Sequence, residues 1–339
     1  VSRLSYIDYH TCGEPVRIVT GGYPALAGAT ILEKRRQARE QHDHLRRAMM
    51  LEPRGHDGMY GVIPVAPSHP EAAFGVLFTH NEGYSTMCGH ATIALGRYAV
   101  EHGLVPAQEP VTRFAIEAPC GLLRLACAVA EGKVGTVSFE SVPAFVEARD
   151  LAVAVPGFGQ VVTDIAYGGA YYCILPASRF GLDLMRSEVA QLVEAAAALT
   201  DAVRAGRAIR HPTEPDLGFL YGTIVTDEAQ GEAESFNLCV FAERQIDRSS
   251  TGSGVTARMA LDHAKGLIGP GIVRSFRSIT GGSFSGRVIG KAEFPADDAV
   301  TVEVGGRSHL AGEGSFVIEA EDKLGHGFTL PKRFADIAG

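Results

Sequence analysis

Hydrophobic and polar residues alternate along this chain in short runs, broken by a few longer stretches with apolar positions at helical spacing. Residues 4–19 read as two strands around the polar break His10-Thr11-Cys12-Gly13-Glu14-Pro15, and Gly21-Gly22 then turns the chain. From Thr30 to Met50 the pattern predicts one charged helix, stopped ahead of Pro53. The apolar runs between 59 and 80 suit strands, as do 111–116, 122–129 and 134–139. A new unit opens over 161–174, a surface helix is expected over 182–205, and strands follow at 219–226 and 234–241. Short strands continue to Phe328, and 330–339 reads as a terminal extension.

Two segments 163 residues apart repeat one design. The first opens Cys88-Gly89-His90 and the second Thr251-Gly252-Ser253; each runs on as a helix to a glycine, Gly103 or Gly266. The repeat predicts two equivalent lobes, each aiming a helix N-terminus at a shared cleft, with a thiol on one side and a hydroxyl on the other. Unpaired N–H groups and the helix dipole favour a thiolate at such an end, which makes Cys88 a candidate base. A lone cysteine is as readily an inert packing residue. Thr251 taken singly is an ordinary N-cap, and only its match with Cys88 argues for a place in the pocket. The amides of Gly89, His90, Gly252 and Ser253 could together hold a carboxylate.

With 339 residues, 46% hydrophobic and 21% charged, the chain has the composition of a soluble globular protein and room for two domains. A net charge of −8 provides no basic face for nucleic acid, and no apolar run is long enough to span a membrane. A small-molecule partner is therefore expected. Forty glycines and no tryptophan fit many tight turns between short strands. The six scattered cysteines lack a CxxC pair and read as reduced thiols; with no charged and then apolar leader at the N-terminus, a cytoplasmic location is the expectation. His42-Asp43-His44 has the wrong spacing for one helical face, so no metal is expected, and Gly252-Ser253-Gly254 lacks the full dinucleotide fingerprint. Glu14, Arg17 and Arg54 read as loop-organising residues.

Met87-Cys88-Gly89-His90, with Ile7 to Pro15, Glu52-Pro53-Arg54-Gly55-His56, Asp164 to Gly169 and Asp247-Arg248-Ser249-Ser250-Thr251-Gly252, resembles the proline racemase family along nearly the whole chain. The resemblance implies an α/β fold of the diaminopimelate epimerase group: two similar lobes, each a curled mixed β-sheet around a central helix, with the active site between them. It assigns 1–128 and the returning segment 318–339 to the first lobe, carrying Cys88, and 129–317 to the second, carrying Thr251. Family racemases and epimerases use two cysteines, one on each face of the substrate's α-carbon. Here the first matches Cys88 while the second is replaced by Thr251, which looks like the trans-3-hydroxy-L-proline dehydratase branch. The substrate-binding positions so implied are Gly89, His90, Asp247, Gly252 and Ser253, with Ser253 standing where threonine is frequent and Asp247 pairing with a ring ammonium.

A threonine hydroxyl is too weak an acid and too poor a base to replace a thiol near neutral pH. Deprotonation from one face remains open to Cys88, and a β-hydroxyl on the substrate lets the reaction finish by expelling water. The expected function is dehydration of trans-3-hydroxy-L-proline to Δ1-pyrroline-2-carboxylate, without a cofactor, with the carbanion held as an enolate by the amide dipoles. Two alternatives stand beside it: a 4-hydroxyproline 2-epimerase or proline racemase using Thr251 or a water as second acid, and a non-catalytic amino-acid binding protein. The side-chain role of His90 is open: it could bond the departing hydroxyl, hold the thiolate, or be merely solvated, as a histidine in the first turn of a helix often is. The expected partner is a small imino acid, and a homodimer is one candidate assembly. The cleft is expected to close on substrate.

Overall fold

The computed structural model describes residues 2–229, 231–331 and 333. The chain opens with β1 (Ser2–Thr11), β2 (Glu14–Gly21), α1 (Ile31–Gln41), α2 (Asp43–Met50), β3 (Tyr60–Val65), β4 (Ala72–His80) and β5 (Tyr84–Ser85). It continues through α3 (Gly89–Glu101), β6 (Val111–Ala118), β7 (Gly121–Ala130), β8 (Lys133–Glu140), β9 (Phe145–Val155), β10 (Gly159–Tyr167) and β11 (Tyr171–Pro176). The rest comprises α4 (Val189–Gly206), β12 (Leu220–Thr226), β13 (Glu234–Phe241), β14 (Gln245–Asp247), α5 (Gly252–Ala264), β15 (Val273–Arg277), β16 (Ser283–Lys291), β17 (Val300–Gly306) and β18 (Ser308–Ile318).

Strand pairing repeats across the two halves. β1 pairs antiparallel with β2, β2 parallel with β3, β3 antiparallel with β4, and β4 parallel with β6, after which β6, β7 and β8 are antiparallel in turn. The same sequence of pairings runs through β10, β11, β12, β13, β15, β16 and β17. A parallel pair needs a crossover, and helices occupy these connections: α1 and α2 between β2 and β3, α3 between β4 and β6, α4 and α5 at the equivalent places. The halves join where β8 pairs with β17.

Each half borrows its outer strand from the end of the other. β9 leaves the first half to pair with β10, and β18 returns from the second to pair with β1. These pairings move the lobe divisions read from the sequence. Residue 128 lies inside β7, and the β7–β8 hairpin stays with the first lobe to Glu140; the returning strand starts at Ser308, ahead of 318. Residues 332 and 334–339, most of the predicted terminal extension, lie outside the described residues.

Local signals account for the other differences. The helix expected over 30–50 is two helices, broken at His42 with φ −129°. Thr30 caps the first through a capping box with Glu33. The helix expected from 182 begins at Val189. β9 was not predicted: exposed Arg149 and Asp150 lie among its alternating apolar residues, so no apolar face stands out in the sequence. Among the described residues no helix is long and apolar enough to cross a membrane.

α3 and α5 are the two central helices. α3 packs against β1, β2, β7, β8, β17 and β18, and α5 against β9, β10, β11, β16 and β17, so both are buried around most of their circumference. Their N-termini meet backbone to backbone. A Cβ on Gly89 would lie 2.4 Å from the Gly252 Cα, and one on Gly252 would lie 2.6 Å from the Gly89 Cα. Backbone on both sides leaves nothing flexible to yield. Gly252→Ala is therefore expected to lower the unfolding free energy by about 1–3 kcal/mol in urea titrations; unchanged stability would show that the helix ends do not abut.

Candidate active site

Cys88, Gly89, His90, Asp247, Thr251, Gly252 and Ser253, the seven residues expected from the sequence, line one cavity of about 20 Å³ where the two helix ends meet. That is room for about one water molecule, so the site stands nearly closed. The first amides of α3 and α5 have no partner within their own helices, so two sets of N–H donors converge on this space.

Cys88 is the N-cap residue of α3, in extended conformation and 5% exposed. Its Sγ lies 3.1 Å from His90 Nδ1, and the other ring nitrogen, Nε2, lies 3.3 Å from the Pro15 carbonyl oxygen. A carbonyl only accepts, so Nε2 carries the hydrogen and Nδ1 presents a lone pair to the thiol. Burial pushes the Cys88 pKa well up, and the Asp247 and Glu14 charges add to the rise; the Ala91 amide at the helix end acts against it and does not prevail. Burial likewise lowers the His90 pKa from 6.5, partly offset by Asp247. The resting pair is a neutral thiol donating to a neutral imidazole. The helix-end argument alone favoured a thiolate, and desolvation reverses that balance.

Thr251 does not act as a conventional cap. Its hydroxyl donates to Asp247 Oδ2 at 2.8 Å, and its own amide donates to Ser249 Oγ at 3.1 Å. Its φ of +60° is an outlier for a β-branched residue, a strain of about 1–3 kcal/mol that surrounding bonds must hold. Asp247 Oδ1 accepts from the Ser249 amide at 2.7 Å, which fixes the carboxylate in the cavity wall. Ser253 Oγ is 2.7 Å from the Tyr172 hydroxyl.

Glu14, read from the sequence as loop-organising, also lines the cavity. It is fully buried: Oε2 accepts from the Arg248 amide at 2.7 Å while Oε1 has no partner. Burial first and the nearby Asp247 second push its pKa well above the carboxylate range. Tyr60, Tyr172, Tyr221, Phe241 and Cys239 complete an aromatic and sulfur-lined wall that the sequence did not reveal. They come from β3, β11, β12 and β13, and only three-dimensional pairing brings them together; the polar break His10 to Pro15, which contains Glu14, was the available hint for that residue. Arg248 closes the edge, its Nη1 donating to the Gly58 carbonyl at 3.1 Å, beside a Gln245 amide that donates to Asp57 Oδ1 at 3.0 Å and Asn81 Oδ1 at 2.8 Å. Arg17 is structural: it makes a two-point ion pair with Asp8 and donates to the carbonyls of Met49 and Arg54. His42 and His44 do not line the cavity, and among the described residues no group of three or more His, Cys, Asp or Glu is placed to hold a metal ion.

The family model described as proline racemase matches residues 6–329. A trans-L-3-hydroxyproline dehydratase of Xenopus tropicalis is 52% identical over 331 residues, covering 96% of this chain and 95% of the relative. A human trans-3-hydroxy-L-proline dehydratase is 51% identical, covering 96% of this chain and 94% of the relative. The crystal structure of a hydroxyproline epimerase from Agrobacterium vitis, with bound trans-4-hydroxy-L-proline, superposes with a TM-score of 0.91 at 26% identity, over 97% of this chain and 95% of that one. The α/β fold implied by the sequence resemblance is the fold observed.

Because desolvation outweighs the helix end at Cys88, its thiol is expected to titrate above 9.0. Ultraviolet thiolate absorbance, taken as the difference between the native protein and Cys88→Ser, measures this directly; an inflection below 9.0 would contradict the neutral resting pair.

Proposed function

This chain belongs to the proline racemase family, and from that premise we propose that it dehydrates trans-3-hydroxy-L-proline to Δ1-pyrroline-2-carboxylate. The observation that carries the proposal is the asymmetry of the pocket. A thiol, Cys88, stands at one helix end, and at the other a threonine hydroxyl is already committed to Asp247. Relatives at 52% and 51% identity that carry the dehydratase name support the same reading.

The substrate carboxylate binds the converging amides of Gly89, His90, Gly252 and Ser253, and the ring ammonium faces Asp247. Proton removal from the α-carbon by Cys88 builds negative charge on the carboxylate oxygens. The amide dipoles already point there, so the enolate is stabilised without reorganisation in a site that excludes water. Thr251 cannot reprotonate the opposite face at a useful rate, and loss of the 3-hydroxyl as water drains the intermediate instead. The first product is the enamine, which tautomerises to the Δ1-imine. Every step uses side chains and amides of this chain, so the reaction needs no cofactor. The six free cysteines suit a reducing compartment, and we assign the protein to the cytoplasm.

Incubation of the purified protein with trans-3-hydroxy-L-proline is expected to yield pyrroline-2-carboxylate, and Cys88→Ala should slow turnover by about 10²–10⁴-fold. Absence of the product sinks the reading. Thr251→Cys should introduce inversion at the α-carbon of 4-hydroxyproline, read as solvent deuterium incorporated with change of optical rotation; an inert variant would count against the two-face argument.

A further inference from the structure

Dehydration needs an acid as well as a base, because hydroxide is a poor leaving group. The substrate's stereochemistry says where that acid must stand. In trans-3-hydroxy-L-proline the hydroxyl is trans to the carboxylate and therefore cis to the α-hydrogen. A base reaching the α-hydrogen thus approaches from the side on which the hydroxyl departs. Thr251, on the other helix, is not the group to protonate it.

His90 stands beside the sulfur. Nδ1 is 3.1 Å from Cys88 Sγ, the ring is 3% exposed and lines the cavity, and Nε2 is anchored 3.3 Å from the Pro15 carbonyl oxygen. The Tyr60 ring meets it edge to face at 4.8 Å, and Asp247 lies near enough to favour its charged form. Anchoring at Nε2 leaves Nδ1 as the nitrogen free to take and return a proton. We propose, on the basis of the dehydratase reading above, that His90 Nδ1 is the general acid that protonates the departing 3-hydroxyl in a syn elimination.

The proton count closes. With substrate seated, the Cys88 thiol gives its proton to Nδ1, leaving a thiolate beside an imidazolium. The thiolate takes the α-hydrogen as a proton, and the C–H electron pair, held for a time in the enolate, becomes the second bond between C2 and C3. The C3–O bond breaks with its electron pair on oxygen, the Nδ1 proton moves to that oxygen, and water leaves. Sulfur again carries a proton and Nδ1 again a lone pair, which is the resting pair of the free protein. No exchange with solvent is needed between turnovers. A two-thiol racemase, by contrast, ends each turnover with its proton on the opposite sulfur.

The test separates the acid from the thiol's activation. His90→Asn and His90→Gln are assayed with trans-3-hydroxy-L-proline and with trans-3-chloro-L-proline, whose chloride leaves without a proton. Loss of thiol activation slows both substrates alike, so the ratio of their kcat values reports the acid alone. That ratio, hydroxy over chloro, is expected to fall by about 10²–10⁴-fold relative to the native protein. An unchanged ratio overturns the assignment of His90 while leaving Cys88 as base intact. Should neither variant fold, the native protein still decides: cis-3-hydroxy-L-proline, with its hydroxyl on the far face, is expected to be dehydrated at least about a hundredfold more slowly than the trans isomer, and comparable rates overturn the proposal. If the native protein dehydrates neither hydroxy substrate, the dehydratase reading itself fails.

Discussion

The contact between Gly89 and Gly252 is the constraint on which the site depends. Two helices can bring their N-termini into one small space only if the first residue of each lacks a side chain, and here either Cβ would strike the backbone opposite. The pairing of β8 with β17 ties the two sheets together, and these sheets wrap the helices, so the close approach is set by the framework and not by loops. Cys88 and Thr251 immediately precede these glycines. Their positions on either side of one cavity follow from where the helices touch.

Bringing helix ends together in a buried place has an electrostatic consequence. Each end offers donors to an anion, yet the same burial raises the cost of an anion that belongs to the protein. Cys88 therefore stays a thiol, and the Glu14 pKa is pushed upward by the same burial, until a ligand changes the balance. Under the proposed function a zwitterionic imino acid suits such a space: its carboxylate would meet the amides and its ammonium would compensate Asp247. Charge on the sulfur becomes affordable once the neighbouring His90 takes the proton, since the pair remains neutral overall.

Much of this was legible in the sequence, for a definite reason. Helix starts and stops are local, so the small residue, the glycine and the following apolar helix announced both Cys88 and Thr251, and their repetition announced two lobes. The exchange of β9 was not legible, because this strand is specified by a partner far along the chain and carries no continuous apolar face of its own; a return of the chain end to the first lobe was expected from 318, whereas β18 starts at Ser308. The same non-locality hid Tyr60, Tyr172, Tyr221 and Cys239, which reach the cavity from separate strands. The protonation state of Cys88 was not legible from local geometry, since the degree of burial belongs to the whole fold.

Thr251 shows how thoroughly the second half of the site has been turned to another use. A β-branched residue at positive φ is costly, and glycine or asparagine would adopt the same backbone with less strain. What threonine adds is a hydroxyl 2.8 Å from Asp247, at the spacing that completes the carboxylate's bonds together with the Ser249 amide. A thiol there would carry a proton across the α-carbon but would bond the carboxylate weakly. The hydroxyl does the reverse: it orders Asp247 and withholds the proton. In the proposed reaction the two faces of the pocket thus divide the work between chemistry at Cys88 and positioning at Thr251, and the strain in the backbone is consistent with a residue kept for its side chain.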